Sequence, residues 1–387
     1  MKHIILSILA IALFGCVEAR KSELTFGAER IDLIVEKLGG KRVGLIVNQT
    51  SVVGESQVHL IDTLLSCGVD VVKVFAPEHG FRGDADAGEL VSDGRDVKSG
   101  LPVVSLYGAN RRPSEAQLED VDILLFDIQD VGVRFYTYIS TLYYAMQSCA
   151  AYSTPIIVLD RPNPNDVVDG PMMQEELKSF VGALSIPILH GLTVCELAQM
   201  IVGEGWLGDK SVDLTVVPMV GWRHGDSYQL PIKPSPNLPN SQSIALYPSL
   251  CLFEATNVSV GRGTLSPFQV IGFPDSKYGG FSFTPEALEG FDKNPMHKGK
   301  ACYGLDLREV APPVGFSLSY FISFMNISGE GADFISRPDF FDKLVGDPAL
   351  KQQLADGLSE ADIRATWQEG LDAYKVMRKK YLLYKGR

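Results

Sequence analysis

With 387 residues the chain is longer than the ~250–300 residues that one apolar core usually fills, which points to two domains. Its 45% hydrophobic and 21% charged residues are ordinary for a globular protein and give no sign of disorder or repeats. The formal net charge of -12 leaves no basic excess to neutralise phosphates, which argues against nucleic acid or an anionic membrane surface as a partner.

Residues 1–21 read as an export segment and not as part of the fold. Lys2 supplies a positive end, and Ile4 to Phe14 form an apolar run too short to span a bilayer. Leu13, Phe14 and Gly15 before Cys16 resemble the lipobox of bacterial lipoproteins, whose cysteine is acylated after cleavage; Phe14 is bulky for that position, so plain secretion is the alternative. A periplasmic or outer-membrane protein is expected, held to a membrane only through a lipid on Cys16. The remaining cysteines, Cys67, Cys149, Cys195, Cys251 and Cys302, lack C-x-x-C spacing and read as buried core thiols.

Apolar spacing predicts a helix over Ile31 to Leu38, and Val43 to Val47 a buried strand ending at Asn48, Gln49 and Thr50. Val58, Ile61, Leu64 and Leu65 recur at helical spacing before a strand over Val69 to Ala76. Pro77 stops that strand, and Glu78, His79, Arg82, Asp84, Asp86 and Glu89 follow, separated by Gly80, Gly83 and Gly88. A carboxyl group wedged between Pro77 and His79 just past a buried strand could be held protonated, as a general acid requires. Leu101 to Leu106 is another strand, Ser114 an N-cap, and Ile123 to Phe126 an apolar run ending at Asp127, Gln129 and Asp130. Tyr138 to Ala151 is helical, and the strand Ile156 to Leu159 ends at Asp160, Arg161, Pro162 and Asn163.

Near-continuous apolar strands alternating with helices predict an α/β fold, a Rossmann-like, mostly parallel sheet covered on both faces. In such sheets ligands sit beyond the carboxyl ends of the strands, and Asn48, Glu78, Asp127, Asp130, Asp160 and Arg161 all follow strands directly. Arg134 and Tyr136, close behind Asp130, suit the gripping of a sugar's hydroxyls or carboxylate and the packing of its apolar face.

A helix over Thr193 to Val202 and a strand over Leu214 to Met219 precede the proline-rich segment Pro231 to Pro239, read as the connection between a first domain, 22–238, and a smaller α+β domain, 239–387. Glu254, Asn257 and Arg262 could carry second-domain groups to the cleft. A strand over Phe268 to Phe273 and a final amphipathic helix over Glu360 to Leu383 complete the pattern.

Several apparent motifs fail in context. Gly203-Glu204-Gly205-Trp206-Leu207-Gly208 fits G-x-G-x-x-G but follows a helix, so it is a helix stop and no dinucleotide cofactor is expected. Gly225-Asp226-Ser227 resembles an esterase nucleophile segment, with His190, His224 or His297 as bases, but it lies in a late loop. No two histidines have metal-ligand spacing, so no metal is expected.

In order along the chain, APEHGFRG (76–83), DIQDVGVRFYTY (127–138), VLDRPNPN (158–165) and LFEATNVSVGRGT (252–264) resemble the NamZ-type exo-β-N-acetylmuramidases over nearly the whole mature chain. The resemblance implies an exo-acting glycoside hydrolase that removes terminal N-acetylmuramic acid from the non-reducing end of peptidoglycan fragments, with Glu78 as catalytic residue in a cleft between domains. Glycoside hydrolysis usually needs two carboxyl groups. For the second, Asp84, Asp86, Glu89, Asp127, Asp130 and Glu254 stay open, as does assistance by the sugar's own 2-acetamido group. A sugar-binding lipoprotein without activity is the alternative reading.

Overall fold

The structure is a computed structural model and describes residues 24–78, 80–82, 94–108 and 110–386. Cys16, His79, Asp84, Asp86 and Glu89 lie outside the described residues, and with them the lipobox and most of the loop after Glu78.

The alternating pattern folds into strands β1 (Val43–Val47), β2 (Val71–Ala76), β3 (Gly94–Arg95), β4 (Pro102–Ser105), β5 (Ile123–Asp127), β6 (Ile156–Leu159), a hairpin of β7 (Val168–Met172) with β8 (Pro187–His190), and β9 (Leu214–Val217). The main sheet runs β9-β6-β5-β1-β2-β4-β3, parallel throughout except for the short edge pair β3–β4. Without that edge strand the order is the 3-2-1-4-5-6 of a doubly wound dinucleotide-binding sheet, as the Rossmann-like expectation requires. The chain reverses direction between β1 and β5.

Because side chains alternate along a strand, each strand feeds two cores. Leu45, Val74, Ile123, Leu125 and Ile157 face helices α1 (Ile31–Leu38) and α2 (Leu60–Ser66), where Ile34, Leu38, Ile61 and Leu64 are buried. Ile46, Phe75, Leu124, Phe126 and Val158 face the other way. After the short helix α3 (Glu115–Leu118), α4 (Tyr138–Tyr152) and α5 (Val194–Gly203) cover that face with Leu142, Met146, Leu197 and Ile201. Ser114 caps α3 as expected, its Oγ accepting from the Gln117 N–H. Helix α5 stops at Gly203, and Gly205 and Gly208 take positive φ, so the G-x-G-x-x-G run ends a helix and starts none.

The later part of the chain is the expected smaller α+β region. It holds α6 (Ser241–Leu250), an antiparallel sheet of β10 (Val270–Phe273), β11 (Phe281–Phe283) and β12 (Cys302–Asp306) in the order β10-β12-β11, and helices α7 (Ser319–Ser328), α8 (Pro338–Val345), α9 (Ala349–Ala355) and α10 (Glu360–Arg378). Its apolar side chains join the α4/α5 core without a break, through Phe253, Phe321, Phe341, Trp367 and Tyr374.

Some boundaries differ from the sequence pattern, each for a local reason. Phe268 takes positive φ, so β10 begins only at Val270. The final helix ends at Arg378, because beyond it Tyr381 turns to donate to Glu204 and Tyr384 to Asp160. Cys67 is exposed, whereas Cys149, Cys195, Cys251 and Cys302 are buried as expected. Pro231 to Pro239 is no loose spacer: Pro234 to Leu238 are buried, Gln49 donates to the carbonyls of Lys233 and Pro234, and the Tyr138 hydroxyl to that of Pro234.

One buried side chain ties these parts together. Arg134 is fully buried and has no carboxylate partner among the described residues; it donates to the carbonyls of Pro171 and Ile186 at 2.8 Å, of Leu344 at 2.9 Å and of Val345 at 2.5 Å. These carbonyls belong to the β7–β8 hairpin and the end of α8. Arg134→Ala strands several buried acceptors and should cost on the order of 3 kcal/mol. Arg134→Lys, whose single ammonium cannot span the same fork, should recover less than half. Denaturant midpoints of both variants measure this; a loss below about 1 kcal/mol in Arg134→Ala would remove Arg134 as a tie.

Candidate active site

A cavity of about 150 Å³ lies beyond the carboxyl end of β2. Glu78 and the run Phe135, Tyr136, Thr137 and Tyr138 line it together with Ser235, Asn237, Leu238, Tyr247, Glu254, Arg262 and Phe268. The proline-rich segment is therefore a wall of this cavity.

Glu78 comes two residues after β2, carried there by the buried Pro77 and the turn at Gly80, whose φ is +75°. Its Oε2 accepts from the Thr137 hydroxyl at 3.0 Å, and the Tyr107 hydroxyl also bonds its carboxylate. Burial, and then the charge of Glu78, push the Tyr107 phenol up to about 12, so it stays protonated and able to donate. Thr137 is the N-cap of α4 but makes no side-chain cap. Its hydroxyl is spent on Glu78, and the positive end of a 15-residue helix is left next to the carboxylate.

In the same lining Arg262 holds Glu254 with Nε at 2.8 Å and Nη2 at 2.6 Å, and Arg337 donates to the Glu254 carbonyl. Tyr136 packs edge-on to Tyr138 and Tyr247, with centroids 4.9 and 6.0 Å away. Asn237 is buried; its Nδ2 donates to the Phe291 carbonyl, while Oδ1 has no partner among the described residues. An unmatched acceptor in a cavity wall is free for a ligand's N–H or O–H.

Of the residues singled out in the sequence, Glu78, Tyr136, Glu254 and Arg262 meet in this cavity. Asp127 and Arg161 meet elsewhere, at the β1/β5 reversal, and consume one another, while Asn48 lies beside them with its Oδ1 taken by Thr50 and its Nδ2 without a partner among the described residues. Arg161 grips Asp127 at 2.5 and 2.7 Å. Asn48 accepts from the Thr50 hydroxyl, Thr50 accepts from the Gln129 N–H, and Ser51 donates to the Asp127 carbonyl. The crevice where doubly wound sheets bind nucleotides is filled by the protein's own polar groups.

The others serve the scaffold. Asp130 accepts from the Gly132 N–H and lies 3.5 Å from His190, Asn163 donates to the Leu192 carbonyl, and Arg82 pairs with Asp96, whose carboxyl it holds far below the usual range. Arg134 points away from the cavity to its four carbonyls. Asn257 is exposed, with its carbonyl on His297. Ser227 is exposed, and His224 is engaged by two acids. His79 and Asp84 lie outside the described residues. Among the described residues no cluster of three or more His, Cys, Asp or Glu could hold a metal ion, and no helix is long and apolar enough to cross a membrane. Sequence reasoning missed Tyr107, Thr137, Asn237 and Tyr247. Thr137 lies inside the segment 127–138 that already held Tyr136, and Asn237 is one of three polar residues among the prolines of 231–239, a signal that could have been read.

The pattern described as the N-terminal region of exo-beta-N-acetylmuramidase NamZ matches residues 43–242, and that of the C-terminal region residues 245–384. A Bacillus subtilis (strain 168) protein, peptidoglycan beta-N-acetylmuramidase NamZ, is 39% identical over 377 residues, covering 90% of this chain and 88% of its own. Two crystal structures of DUF1343 family proteins from Bacteroides fragilis superpose closely. One has TM-score 0.86 at 43% identity over 95% of this chain and 100% of its own; the other has 0.80 at 30% over 94% and 99%.

A separate buried polar cluster fixes the C-terminal tail. His224 bonds Asp166 through Nδ1 and Glu196 through Nε2, each at 2.9 Å, and Glu196 also accepts from the Leu383 N–H. Burial alone would lower the His224 pKa, but these acids outweigh it and raise it to about 9. With the folded value above the ordinary 6.5, the stabilisation is complete below pH 6.5 and is lost as pH rises through about 9. Discounted for solvent screening, the loss should be on the order of 1–2 kcal/mol. Unfolding midpoints from pH 6.5 to 9 should therefore fall in the wild type and stay nearly level in His224→Gln; parallel slopes would show that His224 does not carry the effect.

Proposed function

The chain belongs to the exo-β-N-acetylmuramidase NamZ family, and from that membership we propose that it is a glycoside hydrolase that removes N-acetylmuramic acid from the non-reducing end of peptidoglycan fragments. The observation that carries the reading is the placement of Glu78: a carboxyl group in the wall of a cavity, held by two hydroxyls, with groups from the later half of the chain lining the same space.

In this reading the cleft between the two halves takes the terminal sugar, and Glu78 gives its proton to the glycosidic oxygen as the bond to the anomeric carbon breaks. Thr137 and Tyr107 aim that carboxyl. Their hydroxyls donate to the carboxylate, and a hydroxyl can also accept from the protonated acid, so both states keep a partner. For the second group, Glu254 is the candidate among the described acids that shares the cavity; Asp127 is locked to Arg161 and Asp130 is buried beside His190. The alternative is the sugar's acetamido oxygen attacking the anomeric carbon, and Asn237 Oδ1 is placed on the wall to meet a polar ligand group.

Glu78→Gln should lower kcat on the muramyl-glucosamine disaccharide by roughly 10²–10⁴-fold, and markedly less on a 4-nitrophenyl muraminide whose leaving group needs little protonation. Substrate binding should persist. Equal losses on both substrates would take the acid role from Glu78, and no release of N-acetylmuramic acid by the wild type would overturn the function itself.

The reading also places the enzyme outside the cytoplasm as a lipoprotein, on the strength of the apolar segment and the Leu13-Phe14-Gly15-Cys16 run. Cys16→Ala should move the protein from the membrane fraction to the soluble one; a wild type that is already soluble refutes the anchor.

A further inference from the structure

Beside Glu78 lies a shelf of aromatic rings, of which only Tyr107 has a part in the steps above. Tyr107, bonded to Glu78, has its ring centroid 6.5 Å from that of Phe180, and Phe180 stacks on Tyr144 at 6.1 Å with planes 22° apart. Val181, the next residue, lines the cavity itself. Two guanidinium groups cover the shelf: Arg111 lies 4.3 Å from the Phe180 centroid and Arg112 4.7 Å from that of Tyr144. Both arginines are exposed, and neither has a carboxylate partner among the described residues. Glu175, the acid on the Arg112 side, is already paired with Lys178 at 2.6 Å.

Stacking occupies the flat face of a guanidinium and fixes its orientation, while the N–H donors lie in the plane and stay available for a carboxylate. Two such forks side by side, on a chain of net charge -12, make a local reversal of sign next to the reacting carboxyl. In an exo enzyme the sugar to be released fills the closed end of the cavity, and the rest of the substrate leaves past the acid that protonates the bond. The shelf is therefore on the leaving side.

We propose that Arg111 and Arg112 form an anion subsite beyond the scissile bond, which takes a carboxylate of the leaving chain. This rests on the N-acetylmuramidase reading. The first leaving sugar, N-acetylglucosamine, is neutral; further out the chain carries a carboxylate on its next lactyl ether or, where a stem peptide is amide-linked to that lactyl group, on the peptide. Both sources offer the same ligand chemistry.

The test compares full-length wild type, R111A/R112A and R111K/R112K on four substrates: 4-nitrophenyl N-acetylmuraminide, the muramyl-glucosamine disaccharide, a peptide-free tetrasaccharide of two such units, and the same tetrasaccharide with stem peptides. On the first two, where the released sugar carries the only carboxylate, R111A/R112A should match wild type within about twofold. On the tetrasaccharides its KM should rise roughly tenfold, with kcat little changed and R111K/R112K between the two. A rise already present without peptides assigns the lactyl carboxylate, and one confined to the peptide-bearing substrate assigns the stem; either supports the subsite. Added salt should raise KM for the tetrasaccharides in wild type but not in R111A/R112A. An equal loss on all four substrates, or no change on any, overturns the proposal. Wild type inactive even on the aryl muraminide would instead defeat the functional reading beneath it.

Discussion

The arrangement of this protein hangs on how it satisfies one buried cation. A guanidinium with no counter-ion among the described residues is costly to bury, and the cost is met here by four carbonyls from two segments far apart in sequence. Arg134 sits in the same short run as Tyr136, Thr137 and Tyr138, and its own N–H donates to the Ile188 carbonyl. The run is thus clamped from behind while its other residues face the cavity. Loosen the clamp and Thr137 no longer meets Glu78 at a defined distance. Stability and site geometry are the same problem in this region.

The sheet keeps the topology of a doubly wound fold without its open crevice. In a doubly wound sheet the crevice at the strand reversal is open and takes a ligand. Here Asp127, Arg161, Asn48, Thr50 and Ser51 close it with their own hydrogen bonds. The usable space lies one strand over, at the end of β2, where a buried proline and a positive-φ glycine leave Glu78 at an edge that the later half of the chain completes.

Much of this was legible in the residues. The alternation of apolar strands and helices gave the parallel sheet, and the carboxyl that follows Pro77 stood out because nothing else explains an acid at the end of so apolar a strand. What pattern could not separate was polar residues that wait for a ligand from polar residues that wait for each other. Asp127 and Arg161 are 34 positions apart, and their pairing exists only once β5 and β6 lie side by side. Arg134 read as a sugar ligand because an arginine beside acids and a tyrosine usually faces solvent; that it points inward is fixed by carbonyls more than 200 residues away. Pro231 to Pro239 read as a spacer because composition reports the absence of helix and strand and says nothing of burial.

The core under α4 and α5 runs unbroken between the two halves. Phe253, Phe321, Trp367 and Tyr374 pack into the same apolar mass as Leu142 and Ile201, so neither half ends in a surface that water would tolerate. Modules that recombine freely in other enzymes carry finished outer faces and can be cut at a linker. The described residues show no such seam, and separating the two halves would expose this shared apolar mass to water.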